Sequence, residues 1–242
     1  YEKNVVSETD FNSALKNSQL LEEYEYLSKL ALEQSLEGYL FPDTYLVNKP
    51  ATADEVVRKF LDNFLVKWNI AKRDVTQTTY QTFIIPGYNN LSLSSGVKGL
   101  TVHQFVTLAS ILEKETGRNI AGLGAEAKLA LQEERAIVAG IFYNRLIIGQ
   151  GLESDATINY VSGKNDPSPL LTDTRIKSAY NTYINRGLPP GPISNPSLSS
   201  LQAVFAPTKT EYYYFLHKQP SGEVVYSKTF AEHVRNKNKF LK

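Results

Sequence analysis

TVHQFVTLASILEKETG, residues 101–117, is the stretch from which the rest of the chain is read. Thr101 is followed three residues later by Gln104, the capping-box pattern that opens a helix. Phe105, Ala109 and Leu112 then recur at helical spacing, and Gly117 supplies a stop. At about 100° per residue, Val102, Val106 and Ala109 fall within about 40° of Glu113, and Phe105 and Leu112 flank them. Ser110, His103 and Lys114 begin the polar side, and Glu115 points nearly opposite, near Gln104. The helix therefore carries one acid, Glu113, on or at the rim of the stripe that should face the interior.

Apolar neighbours disfavour an ionised carboxylate and raise its pKa. A carboxyl group that keeps its proton near neutral pH is what a general acid needs. The competing reading is plain: a Glu near a helix end is commonly solvated, or paired with a cation, and Arg118 is close enough in sequence to pair with either acid. The wheel alone leaves both open.

Downstream, a second long helix is predicted over 125–148, ending at Gly149. Residues 150–200, rich in Gly, Pro, Ser, Asn and Asp, read as a long loop region, which in a compact chain points to function. Tyr212–Leu216 and Val224–Tyr226 flank Pro220-Ser221-Gly222 as a hairpin. Thr229 with Glu232 opens a last short helix. Upstream, Asn89–Gly99 is a polar loop. Thr52 to about Trp68 is an amphipathic helix with a Thr52–Glu55 capping box and Val56, Phe60, Phe64 and Trp68 at steps of four. Residues 36–47, LEGYLFPDTYLV, read as extended with a turn at Pro42-Asp43. Residues 7–35 read as helical through Phe11, Leu15, Leu20 and Leu21. The sum is an α+β chain, mainly helical with a small hairpin, as one main globular domain with a smaller N-terminal attachment.

Composition narrows the function classes. With 42% hydrophobic residues among 242, the chain can bury a sizeable core. A formal net charge of +1 argues against a nucleic-acid partner. There are no cysteines, which excludes disulfides and thiolate chemistry. The three histidines, His103, His217 and His233, lie apart, so neither a metal nor another cofactor is expected. No apolar run approaches the ~18 residues that span a bilayer.

Several longer blocks then carry a resemblance. LASILEKETG (108–117), ERAIVAGIFYNRL (134–146), LESDATINY (152–160) and AYNTYINRGLPPGPISNPS (179–197) occur in that order. LEGYLFPDTYLV precedes them, and residues 201–207 and KTFAEHVRNKNKF (228–240) follow. Together they resemble the MltG (YceG-like) family of endolytic murein transglycosylases over about residues 36–240. Residues 121–131 look like an insertion or a longer helix start relative to that pattern, and Gln150 stands where the family pattern leads one to expect Met.

The resemblance implies a YceG-like catalytic domain over 36–242, preceded over 1–35 by the tail of a LysM-like subdomain. It implies an anchor upstream of residue 1 that holds the chain to the cell membrane by a single pass, with the catalytic domain outside. Peptidoglycan glycan strands are the implied substrate and peptidoglycan synthases candidate partners. The first acid of E-K-E-T is the family's essential Glu, and here it is Glu113. The implied reaction cleaves the β-1,4 bond between N-acetylmuramic acid and N-acetylglucosamine without water and leaves 1,6-anhydro ends. One carboxyl group then serves as acid and base in turn. Tyr180, Asn181, Thr182 and Tyr183, before the Gly-Pro loop, are candidates to line a glycan groove, because tyrosine offers sugars a flat face and a hydroxyl. Asn144, Arg145, Asp155, Thr157, Tyr160 and Asn195 are further candidates. Two alternatives stay open: a water-using muramidase with Asp155 as base, and a non-catalytic glycan-binding scaffold.

Overall fold

The computed structural model describes residues 5–27, 35–73, 100–117, 124–164 and 169–241. The polar loop expected at 89–99, Arg118 and the start of the 121–131 stretch lie outside them. Among the described residues there are eight α-helices, one 3-10 turn and a two-stranded antiparallel sheet. The helices are α1 (Glu8–Ala14), α2 (Ser18–Glu22), α3 (Ala53–Arg73), α4 (Val102–Thr116), α5 (Ala125–Ile147), α6 (Asp155–Ser162), α7 (Leu198–Phe205) and α8 (Phe230–Phe240). The expected mainly helical α+β class is the one found.

α4 is the central element. Both halves of its capping box form: Thr101 Oγ accepts from Gln104 N at 3.1 Å, and the Gln104 side chain accepts from Thr101 N at 3.0 Å. Every residue from Phe105 to Leu112 is buried, so the middle of α4 is enclosed on all sides and not merely amphipathic. Ser110, expected to begin the polar side, is fully buried, and its Oγ accepts from Ile193 N at 3.0 Å.

α7 lies among α3, α4 and α5. Its Phe205 ring meets Phe105 of α4 at 4.0 Å and Trp68 of α3 at 4.9 Å between centroids. Burying one such ring contributes about 2–3 kcal/mol. The inward stripe of α3 is Val57, Leu61, Phe64, Trp68 and Ala71, one residue out of step with the expected Val56 and Phe60. Phe60 instead packs edge-on against Phe11 and Tyr45.

Residues 7–27 are not one helix. Asn17 caps α2 after a break, α1 packs on α3, and Tyr24 donates to Asp62 of α3 at 2.8 Å. The turn expected at Pro42-Asp43 falls earlier. Tyr39 N donates to Leu36 O at 3.0 Å around Gly38, whose φ is +93°. The 150–200 stretch contains α6, the 3-10 turn Asp173–Arg175 and the start of α7, where only loop was expected. The hairpin is found as β1 (Tyr214–His217) with β2 (Val224–Ser227), paired Phe215 to Tyr226 and Leu216 to Val225. α8 covers it, capped by Thr229 as expected.

Candidate active site

Glu113 sits in the last turn of α4 and meets the N-terminus of α7. Its Oε2 accepts three hydrogen bonds: from Ser197 N at 3.0 Å, Ser197 Oγ at 2.5 Å and Ser200 Oγ at 2.7 Å. Its Oε1 faces Arg135 Nη2 at 3.3 Å. A helix N-terminus presents unsatisfied N–H groups and a partial positive charge, and an anion belongs there. The Arg135 side chain is 3% exposed and that of Glu113 23%. Arg135 is held in turn by Thr116 Oγ1 at 3.1 Å and by Ser199.

This environment corrects the expected raised pKa. Burial does push the Glu113 carboxyl up, and it is the largest single influence. The Ser197 hydrogen bonds, the Arg135 charge and the Ser200 hydroxyl together outweigh it, so the group titrates below the usual carboxylate range. The wheel found the apolar side of α4 but not the donors across from it. Glu113 is thus a carboxylate in the free protein, with one part of its surface open to solvent.

The second acid of the turn, Glu115, projects the other way. It receives Ser154 Oγ and, at 3.5 Å, Ala156 N, at the start of α6. Burial pushes its carboxyl up, and neighbouring Asp155 adds to the rise.

The candidate groove residues divide into two groups. Asp155, Tyr160, Tyr180 and Tyr183 keep exposed or half-exposed surface. Tyr160 and Tyr180 pair at 5.0 Å between centroids, and Tyr160 donates to Glu37 at 3.1 Å. Tyr183 donates to Asp155 Oδ1 at 2.5 Å. By contrast Arg145, Thr157, Asn181 and Thr182 are buried, and their polar atoms serve the protein itself. Arg145 donates to the carbonyls of Tyr213 and Leu152, each at 2.6 Å. Asn181 Nδ2 donates to Thr174 O and Ile176 O. Thr157 and Thr182 share a hydroxyl contact at 2.9 Å. These four side chains are turned inward and hold the loops together. Asn144 and Asn195 are half-buried and also structural. Asn144 Nδ2 donates to Thr210 O and Tyr212 O. Asn195 Oδ1 accepts from Gly38 N at 2.7 Å and Leu40 N at 3.2 Å, which pins the 36–41 segment.

Sequence reasoning missed Arg135, Ser197 and Ser200. The signal for the serines was present: Ser197 and Ser200 stand three apart after Pro196, an N-cap spacing hidden in a Ser-rich run. His103 was also passed over as a structural residue. Its Nε2 meets Pro190 O at 2.8 Å and its Nδ1 meets the Tyr39 hydroxyl at 3.0 Å, so it fastens the Gly-Pro loop to α4. Among the described residues no group of His, Asp and Glu could hold a metal ion.

The YceG-like family pattern matches residues 3–239. An endolytic murein transglycosylase of Bacillus subtilis (strain 168) is 36% identical over 210 residues, covering 87% of this chain and 49% of that protein. One from Streptococcus pneumoniae serotype 2 is 34% identical over 206 residues, covering 83% of this chain and 31% of that protein. The chain therefore spans half or less of the length of these curated relatives. A crystal structure of a yceG-like protein from Listeria monocytogenes superposes with a TM-score of 0.70 at 31% identity, covering 96% of this chain and 68% of that one.

Proposed function

The chain belongs to the YceG-like family, and from that premise we propose that it is an endolytic lytic transglycosylase of peptidoglycan with Glu113 as its catalytic residue. The observation that carries the proposal is the setting of Glu113: a largely buried carboxylate between the N-terminus of α7 and Arg135, with one side open. The curated relatives are named for this activity.

In the proposed reaction Glu113 protonates the glycosidic oxygen between N-acetylmuramic acid and N-acetylglucosamine. It then takes the proton of the muramyl C6 hydroxyl as that oxygen attacks the anomeric carbon. The C1–O bond to the leaving sugar breaks, the 1,6-anhydro bond forms, and the carboxyl group ends protonated as it began. No second carboxylate nucleophile is needed. The nucleophile is tethered to the substrate, so orientation lowers much of the barrier.

The free protein holds Glu113 ionised, so the acid step requires proton uptake as substrate binds. Burial already acts upward on this carboxyl. A sugar ring covering the open side extends that effect and raises its proton affinity. The pH profiles should therefore separate. The fall of kcat/KM with rising pH reports the free protein and should lie at lower pH than the fall of kcat, which reports the bound complex. Ser200→Ala removes one donor that favours the charged form, so the free pKa rises. The descending limb of kcat/KM should move to higher pH, because the lost Ser200 hydrogen bond favoured the charged form. An unmoved limb would mean that Glu113 does not set it.

The direct test is digestion of un-crosslinked glycan strands with mass spectrometry of the products. Anhydro ends support the proposal; intact strands at every pH favour a scaffold. The proposal includes the division into a LysM-like tail over 1–35 and a catalytic domain over 36–242. It includes a membrane anchor upstream, catalysis on the outer side of the membrane and peptidoglycan synthases as partners. Protease accessibility of residues 36–242 in intact spheroplasts tests the placement. Among the described residues no helix is long and apolar enough to cross a membrane.

A further inference from the structure

The E-K-E-T turn carries a second acid that the chemistry above does not use. Glu115 follows Glu113 by two residues, about 200° around α4, so the two carboxyls leave the helix in different directions. Each meets the start of another helix: Glu113 meets α7 and Glu115 meets α6.

α6 depends on outside help at that end. It has eight residues, DATINYVS, with β-branched Thr157, Ile158 and Val161 among them. So short a helix is not held by its own hydrogen bonds. Its N-cap residue, Ser154, gives no side-chain cap, because its hydroxyl is turned onto Glu115. Glu115 takes the Ala156 N–H in its place and so caps α6 from another helix.

The first turn of α6 is also joined to the 181–183 segment. Ser154 N donates to Thr182 Oγ1 at 3.0 Å, and Glu153 N donates to Thr182 O at 3.2 Å. Tyr183 N donates to Asn181 Oδ1 at 2.9 Å, and the Tyr183 hydroxyl donates to Asp155 at 2.5 Å. Tyr183 remains 37% exposed. Because its proton is directed at Asp155, its oxygen keeps only acceptor capacity, which suits glycan hydroxyl or amide N–H groups.

We propose that Glu115 is a positioning residue that sets the exposed Asp155–Tyr183 pair at a fixed place relative to Glu113. One rigid helical turn then fixes both the reacting carboxyl and the Asp155–Tyr183 pair. The glycan part of this rests on the proposed function; the positioning part does not.

The test uses the whole chain with Glu115→Ala, Glu115→Gln, Tyr183→Phe and the Glu115→Ala/Tyr183→Phe pair. Amide exchange over residues 155–158 should quicken at least about tenfold in Glu115→Ala, with exchange in Val106–Leu112 unchanged. KM for un-crosslinked glycan should rise about tenfold, with kcat within about threefold. Glu115→Gln keeps an acceptor oxygen and the side-chain shape, so it should restore both readings. Tyr183→Phe should raise KM similarly and add little on top of Glu115→Ala, since both act through one contact. Unchanged exchange at 155–158 overturns the positioning role, and multiplying KM effects overturn its route through Tyr183. Faster exchange together with a wild type that cuts no glycan supports the positioning and overturns the transglycosylase reading instead.

Discussion

Glu113→Gln is expected to lower glycan cleavage by about 10³-fold or more in kcat/KM while the fold stays intact. General acid–base help contributes about 10²–10⁴-fold per role, and in the proposed mechanism one side chain serves two roles. The amide has no proton to deliver and cannot take one. Its carbonyl oxygen can still accept from Ser197 and Ser200, so the seat on α7 survives. The lost ion pair leaves Arg135 with Thr116 and Ser199. Circular dichroism should therefore change little, the melting temperature should fall because a guanidinium that is 3% exposed loses its carboxylate, and glycan binding should persist. A variant that still cuts at more than a tenth of the wild-type rate would place the chemistry elsewhere, with Asp155 the first residue to test.

Gly38→Ala is expected to lower stability by about 4 kcal/mol. Two effects add there. The backbone has φ +93°, a region L side chains rarely adopt. A Cβ would also lie 2.5 Å from Pro192 Cγ and 2.9 Å from Val106 Cγ1, where a proline ring cannot swing aside. The change drives the 36–41 segment off the Gly-Pro loop and strains the Asn195 hydrogen bonds that join them. Thermal unfolding should shift down by roughly 10 °C for a chain of this size. KM should also rise, because the displaced loop leads directly into Ser197. A melting temperature within 2–3 °C of wild type, against that expected shift, would show that the segment and loop move together without cost.

Much of the architecture is legible where local chemistry decides it. The Thr101–Gln104 and Thr52–Glu55 boxes, the Gly149 stop and the hairpin around Pro220-Ser221-Gly222 are set by near neighbours in sequence, and the structure has them. α6 and α7 were not legible, because each is eight residues long and held by distant groups. α6 needs Glu115, from another helix, and α7 packs among three others. The same division runs through the site. The wheel singles out Glu113, but its ionisation is decided by Ser197 and Ser200, 84 and 87 residues downstream, and by Arg135 on α5. Tyr183 and Asn181 looked alike as candidates in a polar-aromatic run. Only folding sorts them, with Tyr183 outward and Asn181 wholly buried.

The most direct test of the account is digestion of un-crosslinked glycan by the wild-type chain in heavy-oxygen water, read by mass spectrometry. With Glu113 passing a proton from the C6 hydroxyl to the leaving sugar, every new muramyl end should be a 1,6-anhydro sugar free of the label. Labelled reducing ends would mean that water is the nucleophile and that the single-carboxylate mechanism is wrong.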